Sequence, residues 1–232
     1  MHMSWVDEIV ISSRCIICGG REFRAGPNGR LNNGILPCCA KCYSLERHRI
    51  LYSLYNDCLR ERVQGVACLH FAPDHSINSQ WFGKYEASTY GGENSIDLQK
   101  IDRPDGFYDW IICNHVLEHV EDDQRAMREM LRITADDGII QFAMPMPLYR
   151  EKTVDWGKPD EAQHGHWRIY GKDFLTRFDG VLSTGNLLSV VAIDPVTGSR
   201  DVVFFAARSR APLDRLHALI GVQAANVRET AK

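Results

Sequence analysis

The stretch Tyr108-Asp-Trp-Ile-Ile-Cys-Asn-His-Val-Leu-Glu-His-Val120 constrains the fold more than any other. Its continuous apolar run, Trp110 to Cys113, suits a strand covered on both faces, because successive side chains alternate between two buried surfaces. Polarity arrives at Asn114 and His115. A helical period follows through Val116, Leu117, Val120, Met127, Met130 and Leu131. A buried strand whose polar tip hands over to a helix predicts an open α/β sheet with a ligand site at that tip.

The remaining pattern supplies the other layers. A helix is expected from about 44 to 61, with Ser44 as its N-cap, Arg47 and Arg49 on its wet face, and Leu45, His48, Leu51, Tyr52 and Tyr55 at helical spacing. Strands are expected at Val66–Phe71, Tyr85–Tyr90, Trp110–Cys113 and Ile139–Met144. Helices are expected around Trp81 and Phe82, from Asp122 to Thr134 with Ala135–Gly138 as its stop, and from Asp173 to Phe178. Leu187–Asp194 and Asp201–Ala207, joined by the turn Pro195–Gly198, read as a hairpin. Pro145-Met-Pro147 opens a long polar loop to about Trp167 that could cover a pocket, residues 213–220 suggest a last helix, and residues 1–14 an amphipathic lead-in. The expected fold is α/β: a Rossmann-like doubly wound sheet with an antiparallel C-terminal edge strand, plus a small N-terminal zinc-ribbon-like unit. The expected divisions are 1–43, a linking helix over 44–64, the main domain over 65–210 and a helix or tail over 211–232.

Five of the eight cysteines fall between Cys15 and Cys42. Cys15-Ile-Ile-Cys18, a 20-residue gap and Cys39-Ala-Lys-Cys42 form two C-x₂-C knuckles. Four thiolates in that order suit tetrahedral Zn²⁺, and a full set of four leaves no open position, so the ion is structural. Cys38 competes with Cys39 for the third place. The start of the chain shows no basic flank with a long apolar core, and no apolar run reaches a membrane span, so a cytoplasmic protein with thiols rather than disulfides is expected. The net charge of −3 argues against a nucleic-acid partner.

Tyr108–Val120, Arg128-Glu-Met-Leu-Arg132, Asp137-Gly138 and Met144-Pro145 together resemble the class I S-adenosylmethionine-dependent methyltransferases. Cys39–Cys42, Ser44-Leu-Glu-Arg-His-Arg49, Leu69-His-Phe-Ala-Pro-Asp74 and His166-Trp-Arg-Ile-Tyr-Gly171 look like a bacterial subgroup with a cysteine knuckle. The resemblance covers most of residues 15–180. It implies a cofactor, S-adenosyl-L-methionine, held by the loop His70, Phe71, Ala72, Pro73 and Asp74, by Thr89 and Tyr90 at the ribose, by Asp97 and Leu98 at the adenine, and by Asn114, His115 and Leu117 near the methyl group. Two departures stand out. His70 and Ala72 replace the acid and glycine usual in the first loop, and no acid ends the second strand, although Glu93 could reach back to the ribose.

Methyl transfer is an in-line displacement at a carbon already activated by sulfonium, so the enzyme mainly aligns the reactants. A proton-bearing oxygen or nitrogen nucleophile also needs a base near neutral pKa, and histidine is the default. His115 is best placed in sequence. His166, with His164, follows the loop after the fourth strand. The leading expectation is O- or N-methylation of a small molecule or glycan. A degenerate interaction module and a protein or RNA methyltransferase are the alternatives.

Overall fold

A computed structural model describes residues 2–4, 12–145 and 149–230. Much of the expected lead-in over 1–14, and Met146 and Pro147, lie outside the described residues. In chain order the strands are β1 (His2–Ser4), β2 (Phe23–Arg24), β3 (Cys38–Cys39), β4 (Ala67–Phe71), β5 (Lys84–Ser88), β6 (Tyr108–Asn114), β7 (Thr134–Ala143), β8 (Val154–Asp160), β9 (His166–Ile169), β10 (Leu187–Ile193) and β11 (Arg200–Ala206). The α-helices are α1 (Glu46–Ser53), α2 (Arg60–Val63), α3 (Asp123–Ile133), α4 (Phe174–Arg177) and α5 (Arg210–Thr230).

Seven strands form one sheet in the order β5-β4-β6-β7-β11-β10-β1. All run the same way except β11, which is antiparallel to both neighbours and stands towards one edge. The sheet is covered on both faces, as the unbroken apolar run in β6 requires. Trp110 and Ile112 join Leu54, Tyr55 and Leu59 of the linking helix and Leu213, Leu216 and Ile220 of α5 in one apolar layer. Ile111 and Cys113 join Ala126, Met127, Met130 and Ile133 of α3, with Phe174 and Phe178, in the other.

The amphipathic α3 follows directly from its sequence. Asp122 accepts from the Arg125 N–H at 2.8 Å and caps the start, and the Thr134 hydroxyl donates to the Met130 carbonyl at its end. Met127, Met130 and Ile133 are fully buried, each stabilising the fold by roughly 1.5–3 kcal/mol relative to exposure.

The linking helix also forms, from Glu46 through Val63, with a π turn at Leu54–Leu59 inside it. The wider turn lets Leu54, Tyr55, Cys58 and Leu59 all face the core. Two details differ from the sequence reading. Leu45, not Ser44, caps the helix, because the Ser44 hydroxyl lies against cysteine sulfurs. Arg49 is fully buried rather than wet. Its guanidinium forks onto Asp194 at 2.7 and 2.8 Å and donates to the Pro37 and Ser44 carbonyls, tying the cysteine segment, α1 and the β10–β11 turn together.

Three other segments depart from expectation. Trp81 lies on a single 3₁₀ turn, Ser79–Trp81, capped by Asn78, and no α-helix forms there. Ala135–Gly138 is looped out of the ladder between the Tyr108–Thr134 and Trp110–Ile139 pairs, so β7 begins earlier than Ile139. The polar stretch before Trp167 contains a hairpin, β8 against β9. The Leu187–Ala207 hairpin forms as expected, and α5 is longer than the 213–220 expected for it. Among the described residues no helix is long and apolar enough to cross a membrane.

Candidate active site and four-thiol centre

β4 pairs with β5 on one side and β6 on the other, so the chain reverses its direction of travel across the sheet at β4. Phe71, Ser88 and Cys113 stand abreast at the three carboxyl ends. The crevice outside such a switch point is where open α/β sheets place ligands. Here it is walled by the loop after β4 and the turn after β6. Both walls leave their strands through a left-handed residue, Ala72 at φ 49° and His115 at φ 55°. This conformation is costly for a side-chain-bearing residue and so marks a position held by its surroundings.

On the β4 wall the titratable groups have partners. His70 is buried, its Nδ1 2.7 Å from the Tyr85 hydroxyl, and burial pushes its pKa down to about 4. Phe71 packs in the core, Ala72 is exposed and donates its N–H to the Ser88 carbonyl, and Pro73 is half-buried. Asp74 accepts from the Ser76 N–H at 2.7 Å and lies 3.6 Å from Nε2 of His48. The Leu45 N–H donates to Nδ1 of His48, which puts the proton of the neutral ring on Nε2, facing Asp74. The linking helix is thereby fastened to the loop. Burial holds the His48 pKa down, to about 4.

Beside this wall, Thr89 and Tyr90 are exposed. Asp97 is exposed as well, and its carboxylate accepts from the Gln99 N–H at 2.8 Å, while Leu98 is buried in the apolar layer. The carboxylate that β5 does carry, Glu86, is taken up by Arg103, Tyr108 and Asn94.

The β6 wall differs. Asn114 is exchanged into a buried amide pair with Gln141, continued by the Tyr55 hydroxyl and the Trp110 indole N–H. His115 Nδ1 lies 3.5 Å from Glu118 Oε1, and its Nε2 has no hydrogen-bond partner. Leu117 and Glu118 are fully buried, and neither Glu118 oxygen has a hydrogen-bond partner. His166 reaches the same place from β9, its ring 4.6 Å from that of His119 and perpendicular to it. Burial lowers the His166 pKa, helped by the neighbouring imidazoles and opposed by Glu118.

Two residues of the His166–Gly171 segment explain this approach. Arg168 is buried and donates to the Leu117, Val120 and Glu121 carbonyls, while Asp155 accepts from its Nε. The Tyr170 hydroxyl donates to Asp123 at 2.7 Å. The turn after β6 is therefore clamped by the strand that delivers His166. Gly171 permits the clamp to close, since a Cβ there would meet the Lys152 backbone at 2.5 Å.

Sequence reasoning missed Asp201. It enters the same end of the sheet because β11 runs backwards, and burial pushes its carboxyl pKa up. The reversal of the C-terminal hairpin was readable; its register was not.

The cysteines form a separate centre. Sulfurs of Cys15, Cys18, Cys39 and Cys42 lie within 4.8 Å of one another, with Cys15–Cys42 and Cys18–Cys39 at 3.6 Å. Four sulfurs around one tetrahedral zinc at 2.3 Å would stand ~3.8 Å apart, so the set fits such an ion. Cys38 stands outside this cluster, its Sγ 3.8 Å from the Tyr43 carbonyl. Gly20 leaves room for the knuckle, because a Cβ there would meet the Cys39 sulfur at 3.1 Å. The loop between the knuckles is fastened to α1 by Glu46, which accepts from both Arg30 nitrogens and from Asn32. Burial works against that carboxylate, yet Arg30 and Asn32 hold its pKa down to about 2.

The profile of a family described as a methyltransferase domain matches residues 47–178, more than half of the chain. The chain belongs to this methyltransferase family. It is a methyltransferase. No curated protein matches the methyltransferase significantly. Its fold is similar to three solved structures. The first is the YcgJ protein from Bacillus subtilis (14% identity, TM-score 0.40, 61% of this chain and 69% of that one). The second is the Burkholderia thailandensis 1,6-didemethyltoxoflavin-N1-methyltransferase with 1,6-didemethyltoxoflavin and S-adenosylhomocysteine bound (13%, 0.45, 71% and 79%). The third is a possible histamine N-methyltransferase from Thermotoga maritima (11%, 0.42, 70% and 91%).

Proposed function

We propose that this methyltransferase acts on a small molecule or glycan, at oxygen or nitrogen, with its methyl donor lying across the tips of β4 and β6. The observation that carries the reading is the switch point flanked by the left-handed residues Ala72 and His115, with His115 Nε2 buried and without a partner. Buried polar atoms are rarely left unpaired unless a ligand or water completes them. His70 to Asp74 would pass around the donor's amino-acid end, Thr89 and Tyr90 would meet its ribose, Asp97 and Leu98 its adenine, and Asn114, His115 and Leu117 would border its methyl group. S-adenosylmethionine supplies a methyl group made electrophilic by sulfonium. The chain's own residues align the acceptor and accept its proton, with His115 and His166 as the candidate bases.

A groove of 520 Å³ adjoins the β4 loop, lined by Tyr52, Asn56 and Arg60 of the linking helix, His75 and Trp81 of the main domain and Ile17 of the first knuckle. Its aromatic floor with amide and guanidinium groups suits a polar, hydroxylated acceptor. The four thiols would hold a structural zinc, and the segment 1–43 would depend on it, since a unit that small buries little apolar surface of its own. Residues 44–64 would join it to a catalytic domain over 65–210, with 211–232 as a packed C-terminal helix.

Calorimetry with S-adenosylmethionine and S-adenosylhomocysteine tests the reading. Saturable binding of both is expected, and silence at high micromolar ligand would leave an interaction module instead. Metal analysis should find about one thiolate-held zinc per chain; a folded, metal-free preparation would remove that assignment.

A further inference from the structure

We infer that Glu118, His119 and His166 form a second metal site, for a first-row divalent cation, separate from the four-thiol centre. Their ligand atoms all lie within 4.8 Å of one another. Two donors ~2.1 Å from one ion stand about 3–3.5 Å apart, so small side-chain rotations close the site. His119 is exposed and free to make them.

The argument starts from Glu118. It is fully buried, both its oxygens lack hydrogen-bond partners, and its nearest basic group is His115 Nδ1 at 3.5 Å. A buried carboxylate without a partner is among the costliest groups a fold can hold. His166 Nδ1 is likewise buried without a partner. A cation would satisfy the orphaned atoms together.

The support around the cluster is that of a built site rather than a chance meeting. Glu118 and His119 sit on the 3₁₀ turn Leu117–His119. Arg168 and Tyr170 both donate to the Leu117 carbonyl of that turn, Arg168 also donates to the Val120 carbonyl just after it, and β9 places His166 against it. Two imidazoles and one carboxylate favour iron, cobalt, nickel or zinc over magnesium and calcium, and leave coordination positions open. Glu118 stands 3.5 Å from His115, so those positions would open beside a candidate base. That an acceptor's oxygen would occupy them rests on the methyltransferase reading; the metal site itself does not.

The test is a Co²⁺ titration of the full-length protein with zinc already in its thiol site. One equivalent should bind, giving the weak visible bands of nitrogen- and oxygen-ligated cobalt. Glu118→Gln and the surface change His119→Ala should each weaken binding at least about tenfold, with folding checked by circular dichroism. No added equivalent, intense thiolate-to-cobalt charge transfer, or unchanged affinity in both variants would overturn the site. S-adenosylhomocysteine calorimetry on the same samples reads the cofactor crevice independently.

Discussion

The two walls of the crevice are built alike and finished differently. Each leaves a parallel strand through a left-handed residue, and each is clamped from outside by a distant segment: His48 of α1 on the β4 side, and Arg168 and Tyr170 of the β9 segment on the β6 side. On the β4 wall the charged groups have found partners. On the β6 wall Glu118, His115 and His166 keep buried atoms that have none. A satisfied buried group fixes geometry at little cost, whereas an unsatisfied one costs stability that only a ligand recovers. The first wall reads as scaffold and the second as the place reserved for chemistry.

The largest expected effect lies behind the scaffold. Arg49→Ala leaves Asp194 buried and uncompensated and frees the Pro37 and Ser44 carbonyls. Urea unfolding should show a loss of about 3–5 kcal/mol. A loss under about 1 kcal/mol would mean that water replaces the guanidinium and that the cysteine segment is not held through this residue.

Next comes a pH dependence from the same wall. The fold holds His70 neutral, with a pKa of about 4 against an ordinary 6.5, and burial is the cause. The unfolded chain takes up the proton first as pH falls. This contribution is therefore complete above pH 6.5 and is lost as pH drops towards 4, on the order of 3 kcal/mol from His70 alone. Urea midpoints followed across that window should flatten in His70→Gln, and parallel curves would show that His70 titrates normally.

The β6 wall should respond in the opposite sense. In metal-free protein Glu118→Gln removes a buried charge that no hydrogen bond compensates, so stability should rise by roughly 1–3 kcal/mol. A fall would show that the carboxylate has a partner in the folded chain and that the two walls are not different in kind. The smallest effect concerns Asp97, whose carboxylate already caps a turn. Asp97→Ala should weaken S-adenosylhomocysteine binding about fivefold, near 1 kcal/mol; unchanged affinity would leave it a turn residue only.

How much of this was legible in the chain depended on what decided each element. The central strands and α3 were, because alternation and helical period are imposed by burial itself. The hairpin β8–β9 was not: Asp155, Gly157, Lys158 and Pro159 give it no apolar alternation, and part of what holds it is the pairing of Arg168 with Asp155. Arg49 was read as a wet residue because its carboxylate partner lies 145 positions away. The same distance effect hid the wall contrast. His115 and His166 were each visible as candidates in the sequence. Their convergence depends on Arg168 and Tyr170 reaching back across the molecule to the turn after β6. The four-thiol cluster was the most readable feature, since its cysteines come in two local pairs.

The most direct test is a crystal structure of the chain soaked with S-adenosylhomocysteine. The account predicts the ligand across the carboxyl ends of β4 and β6, with its sulfur towards His115 and its amino-acid end against Ala72. Ligand bound away from that crevice, or a crevice left closed at saturating concentration, would contradict it.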